Sequence, residues 1–107
     1  MTDTITAPKI HTKERTKRQP PYHVILLDDD DHTYEYVVRM LQELFAHSPE
    51  TAYLMAVEVD TTGRVIVLTT TKEHAELKRD QIHAYGPDPL SSRGCAGSMS
   101  AEIEPAV

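Results

Sequence analysis

The chain of 107 residues has a single cysteine, no tryptophan, one phenylalanine and four glycines. One thiol, Cys95, excludes an internal disulfide and a thiolate metal cage. It sits in Gly/Ser-rich sequence and reads as an incidental thiol. No apolar stretch approaches the ~20 residues of a membrane-spanning helix, so no membrane contact is expected. Residues 1–21 lack the apolar centre of a secretory signal, which predicts a cytoplasmic protein. No Gly-rich loop precedes a helical pattern, leaving nucleotide binding unsupported. The histidines at 11, 23, 32, 47, 74 and 83 lack His-x-x-x-His spacing, and no activating group neighbours the serines at 91, 92, 98 and 100. These gaps predict no catalytic residue, no metal ligand and no cofactor; a binding module is expected rather than an enzyme.

What is abundant is acid. The net charge is −6, yet residues 1–21 carry five basic side chains against two acidic ones, so the remainder carries −9. An acidic body argues against nucleic acid as a partner, because phosphate recognition needs clustered Lys and Arg. The Thr- and Pro-containing tail is expected to be a disordered extension over 1–21, with one domain over 22–107. Pro20-Pro21 blocks any helix from running into that domain.

Within the domain, Tyr22–Leu27 reads as a strand. Residues 34, 37, 38, 41, 44 and 45 recur at helical spacing and predict a helix over Thr33–Phe45. Ser48-Pro49-Glu50 is a helix start, and Ala52, Met55, Ala56 and Val59 form the buried stripe of a second helix ending near Asp60. Thr61-Thr62-Gly63 reads as a turn and Arg64–Thr70 as the best strand. Thr70 and Glu73 have capping-box spacing, opening a third helix with Ala75, Lys78, Ile82 and Tyr85 on one face. Gly86-Pro87 closes it as a left-handed cap. A loop over Pro87–Gly97 and a short strand over Met99–Ile103 complete the chain. The order β-α-α-β-α-β predicts an α+β fold: a small α/β sandwich with three helices on one face of a three-stranded antiparallel sheet.

The strand at 22–27 stops on Asp28, Asp29, Asp30 and Asp31. Asp30 and Asp31 suit helix punctuation, since Asp favours N-caps. Asp28 and Asp29, at the end of a Val-Ile-Leu-Leu strand, call for a cation. A calcium loop would need a mid-loop Gly and a terminal Glu, and neither is present. An acidic divalent-metal or phosphoryl-signalling domain stays open as an alternative. Asp60 is the second oddity, because a carboxylate at a helix C-terminus opposes the macrodipole. If Asp28, Asp29 and Asp60 converge, they form a clamp suited to an ammonium group.

The residues from Tyr22 to Tyr85 resemble the ClpS adaptor family of the bacterial Clp protease. The resemblance lies in Tyr-x-Val-Ile-Leu-Leu-Asp-Asp-Asp at 22–30, Glu-Tyr-Val at 35–37, Leu-Gln at 41–42, Gly63, and Thr-x-x-x-Ala-Glu-x-Lys at 71–78, without gaps. It implies a non-enzymatic adaptor for N-degrons, with a fold like the C-terminal domain of the ribosomal stalk protein. The adaptor binds a substrate's free α-amine and a large hydrophobic first side chain, Phe, Tyr, Trp or Leu. It then delivers the substrate to a Clp AAA+ unfoldase of ClpA or ClpC type, through that partner's N-terminal domain. By position, the amine falls to Asp28, Asp29 and Asp60. Asp30, His32, Tyr34, Val37, Ala56, Val59 and Met99 line or gate the pocket, Glu73 and Lys78 dock the unfoldase, and the tail engages its pore. The chain departs from the family at Asp28, usually Asn; at Asp60, usually His; and at Tyr34 and Ala56, commonly Met. These departures keep open a modulator of the unfoldase without N-degron recognition.

Overall fold

A computed structural model describes residues 20–29, 31–90 and 97–107. The basic tail and most of the loop after the third helix, with Cys95, lie outside the described residues, as does Asp30. Strand β1 spans Tyr22–Leu27, helix α1 Tyr34–Phe45, helix α2 Pro49–Thr62, strand β2 Arg64–Thr70, helix α3 Lys72–His83 and strand β3 Ser100–Pro105. The sheet order is β2-β1-β3, with β1 antiparallel to both neighbours.

Each helix begins where a hydroxyl satisfies an orphan N–H. The Oγ1 of Thr33 accepts from Tyr36 N at 3.2 Å, and Ser48 Oγ accepts from Thr51 N at 3.1 Å, with Pro49 at the first position. At α3 the cap is Thr71, one residue later than the capping-box spacing suggests; its hydroxyl accepts from His74 N at 3.2 Å. Helix α2 does not end near Asp60 but runs to Thr62. The hydroxyls of Thr61 and Thr62 donate to the carbonyls of Val57 and Glu58 at 2.9 and 2.8 Å, and Gly63, at φ 91°, supplies the left-handed cap. Helix α3 ends at His83 with Ala84 as its cap, so Gly86, at φ 109°, turns the chain after the helix rather than closing it. The last strand starts one residue later and ends two residues later than expected.

The helices cover one face of the sheet. Val24 and Leu26 of β1, Val65 and Val67 of β2 and Ala101 of β3 meet Tyr36, Val37, Met40, Leu41, Ala52, Ala56, Val59, Ala75 and Ile82 in one core. The expected stripe of α1 is rotated: Tyr36 and Met40 are buried, while Tyr34 is 37% exposed. The Tyr36 hydroxyl, at the edge of the core, donates to the Gly86 carbonyl at 2.6 Å, which ties the turn after α3 to α1.

Candidate functional site

The two acidic segments meet at one end of the sheet. The backbone N–H of Asp28, just past β1, donates to the Gly63 carbonyl at 3.0 Å, bringing the strand end to the close of α2. Across this junction the Tyr34 hydroxyl, from the first residue of α1, donates to Asp60 Oδ2 at 2.7 Å. Asp60 lies in the last turn of α2 and meets a phenol rather than a cation. That hydrogen bond, with burial and the charges of Asp60 and Asp28, pushes the Tyr34 phenol up to about 12. The Tyr34 ring also lies 5.8 Å from the Tyr53 ring, tilted by 54°. Two positions that looked like independent departures are therefore bonded to each other.

Asp29 faces another way. Its Oδ1 accepts from the Asp31 backbone N–H at 3.0 Å, so Asp31 belongs to a turn built on Asp29, and the helix cap is Thr33 rather than an aspartate. The Nδ1 of His32 lies 2.9 Å from Asp29 Oδ1 and 2.8 Å from Oδ2, while its Nε2 lies 2.9 Å from the Gly97 carbonyl. With an acceptor at each nitrogen, the ring satisfies both only as an imidazolium. Its side chain is 2% exposed and its ring sits 4.5 Å from that of Tyr36. Burial works against the charged ring, but the bonds to Asp29 and Gly97 outweigh it, so the His32 pKa is raised. Asp88 adds to that field from the turn after α3. It is 3% exposed and accepts from Thr33 N at 2.6 Å and Leu90 N at 2.8 Å. Burial alone would raise its carboxyl; those backbone bonds and His32 hold it below the usual range. Nothing in Pro87-Asp88-Pro89 marks a buried carboxylate, and sequence reasoning missed it.

Val37, Ala56, Val59 and Met99 are 4, 1, 2 and 2% exposed members of the one core. The bond from His32 to Gly97 fastens the segment that carries Met99. Glu73 is exposed, beside a hollow of about 490 Å³ that it lines with Thr71, Lys72 and Glu76. Lys78 is partly buried instead. Its Nζ donates to the Leu44 carbonyl and lies 5.5 Å from the Phe45 ring centre, which fastens α3 to the C-terminus of α1.

Comparison with known proteins fits this arrangement. The family described as ATP-dependent Clp protease adaptor protein ClpS matches residues 17–92. The chain belongs to the ClpS family. The ATP-dependent Clp protease adapter protein ClpS 1 of Bradyrhizobium diazoefficiens is 32% identical over 78 residues, 73% of this chain and 77% of that protein. ClpS of Vibrio cholerae is 36% identical over 75 residues, covering 68% of this chain and 71% of its own. The structure of Agrobacterium tumefaciens ClpS2 bound to L-phenylalaninamide matches with a TM-score of 0.71 and 24% identity over 82% of this chain and 99% of that one; it shows the shared fold. The described residues of this ClpS-family chain thus form a three-helix, three-stranded α+β domain of an adaptor family. Among the described residues, no helix is long and apolar enough to cross a membrane.

Proposed function

We infer that this ClpS-family chain is a non-enzymatic cytoplasmic adaptor that selects substrates by their N-termini. It binds the free α-amine and a large hydrophobic first side chain, Phe, Tyr, Trp or Leu, and hands the substrate to a Clp unfoldase of ClpA or ClpC type. The observation that supports this reading is the backbone bond from Asp28 to the Gly63 carbonyl. It brings the end of β1 to the close of α2, whose last turn carries Asp60, on a domain whose core holds Val37, Ala56, Val59 and Met99. An α-amine has a pKa near 8 and is charged at neutral pH. A charge-assisted bond to a carboxylate contributes ~1.5–3 kcal/mol, and burying a Phe or Leu side chain roughly as much. L-Phenylalaninamide, the ligand of the Agrobacterium relative, combines the same two features, a free amine and an aromatic side chain. Met99 and His32 border the pocket, and exposed Glu73 is the better candidate for the unfoldase contact, since Lys78 is engaged within the domain.

Fluorescence anisotropy on one labelled peptide tests this directly, with its first residue varied among Phe, Tyr, Trp, Leu, Ile, Met and Ala, each free and N-acetylated. Binding on the order of micromolar to large hydrophobic first residues, abolished by acetylation, is expected. Indifference to acetylation would refute it. A second reading, an unfoldase modulator without first-residue recognition, draws on the engagement of Asp60 by Tyr34; it requires that no free N-terminus bind. Among the described residues no group of three or more His, Cys, Asp or Glu side chains is placed to hold a metal ion.

A further inference from the structure

The geometry points to Tyr34 as a cover over the apolar walls, latched by Asp60, which an incoming ammonium opens by taking Asp60 in the phenol's place. This rests on the N-terminal recognition proposed above and names the residue pair that sets its affinity threshold. On α2, Tyr53, Ala56 and Asp60 are spaced i, i+3 and i+7 and so share one face. Tyr34 contacts the first of these by its ring and the third by its hydroxyl, at 5.8 Å between ring centres and 2.7 Å between oxygens. Its ring therefore spans the second. Val37, one turn further along α1, continues the same wall. All four wall residues are 4% exposed or less, so an arriving side chain reaches them only after what lies above them moves. Tyr34 itself is 37% exposed, so its ring already meets water on one side.

The exchange favours a charged ligand. The phenol is a neutral donor to a carboxylate, whereas an ammonium brings a full charge and a stronger bond to the same oxygen. An acetylated N-terminus offers only a neutral N–H, no better than the group it must displace. The latch subtracts the same amount from every ligand's affinity, and only a charged amine has the surplus to remain bound.

The test is a double-mutant cycle read by anisotropy, using one peptide with Phe first, free and N-acetylated, against wild type, Tyr34→Phe, Asp60→Ala and the double variant. Tyr34→Phe keeps the ring and removes the latch, so the free-amine peptide should bind about three- to tenfold tighter, the range of one ordinary hydrogen bond. The acetylated peptide should gain by the same factor, and the gain should vanish in the Asp60→Ala background. Weaker or unchanged binding by Tyr34→Phe, or a gain that persists without Asp60, overturns the latch while leaving amine recognition standing. If no variant shows acetylation-sensitive binding, the proposed function fails and the latch with it. A ligand-free measurement stands beside the cycle: the Tyr34 ring, followed by NMR, should titrate at lower pH in Asp60→Ala, and an unchanged titration refutes the bond in solution.

Discussion

Two carboxylate–ring pairs sit side by side in this molecule, and they are built oppositely. At the outer corner, an exposed phenol donates a single hydrogen bond to the exposed Asp60. At the inner corner, a nearly buried imidazole is held from both nitrogens, with Asp29 on one side, the Gly97 carbonyl on the other and the buried Asp88 nearby. Exposure decides what each pair can be used for. A single bond facing water breaks at little cost, which suits exchange with a ligand. A charged ring enclosed by its partners is costly to disturb, which suits fixing the chain.

The harshest way to break the contrast is to remove Asp88. Asp88→Ala leaves the N–H groups of Thr33 and Leu90 without their acceptor, and a loss of about 2–4 kcal/mol in denaturant unfolding is expected. A loss below that of a surface substitution would show that the inner corner is not structural. Next comes His32→Gln, which removes the charge and should cost about 1.5–3 kcal/mol near pH 6.

The pH profile carries a definite sign. His32 has a raised folded pKa, so its contribution is complete below the unfolded value of about 6.5 and is lost as pH climbs through the folded one. Asp88 has a lowered folded pKa, so its contribution is present above about 3.9 and is lost on acidification through the folded value. Thermal melts should therefore show the inner corner at full strength between those limits. The decline on the alkaline side should disappear in His32→Gln; a decline that survives there assigns it to another group.

Salt separates the corners more gently. Raising ionic strength from about 0.05 to 0.5 M should weaken free-amine peptide binding about threefold or more while leaving the melting temperature nearly fixed, because screening acts on exposed charges far more than on enclosed ones. Equal movement of both would show that the corners are not electrically distinct. The smallest effect is expected from Tyr34→Phe on stability: its melting temperature should fall only slightly from pH 6 to 8, by no more than one exposed hydrogen bond contributes. A loss as large as that of Asp88→Ala would make the outer corner structural as well.

Most of the architecture was legible because its signals are local. Ser48-Pro49 announces α2, alternating Val and Ile announce β2, and the run into Asp28 announces the end of β1. The errors are local competitions: Thr71 displaced Thr70 as a cap, and the threonines at 61 and 62 prolonged α2 by bonding back to its own carbonyls. The site was legible only as separate parts. Asp60 and Tyr34 each stood out, but their bond spans 26 residues and that of His32 to Gly97 spans 65. Such pairings follow from how the helices dock, which no local pattern encodes. Asp88 was invisible because burial, not spacing, gives it its role.

The far end of β1 has its own consequence. The N–H of Ala106 donates to the Pro21 carbonyl at 2.9 Å, and Tyr22 pairs with Pro105, so the described chain enters and leaves the sheet at one point. The aspartates stand at the other end of the same six-residue strand, roughly 20 Å away at about 3.4 Å per residue. A dye placed at Val107 would sit clear of the acidic junction and report binding without obstructing it, and a surface tether there would leave that junction facing solution.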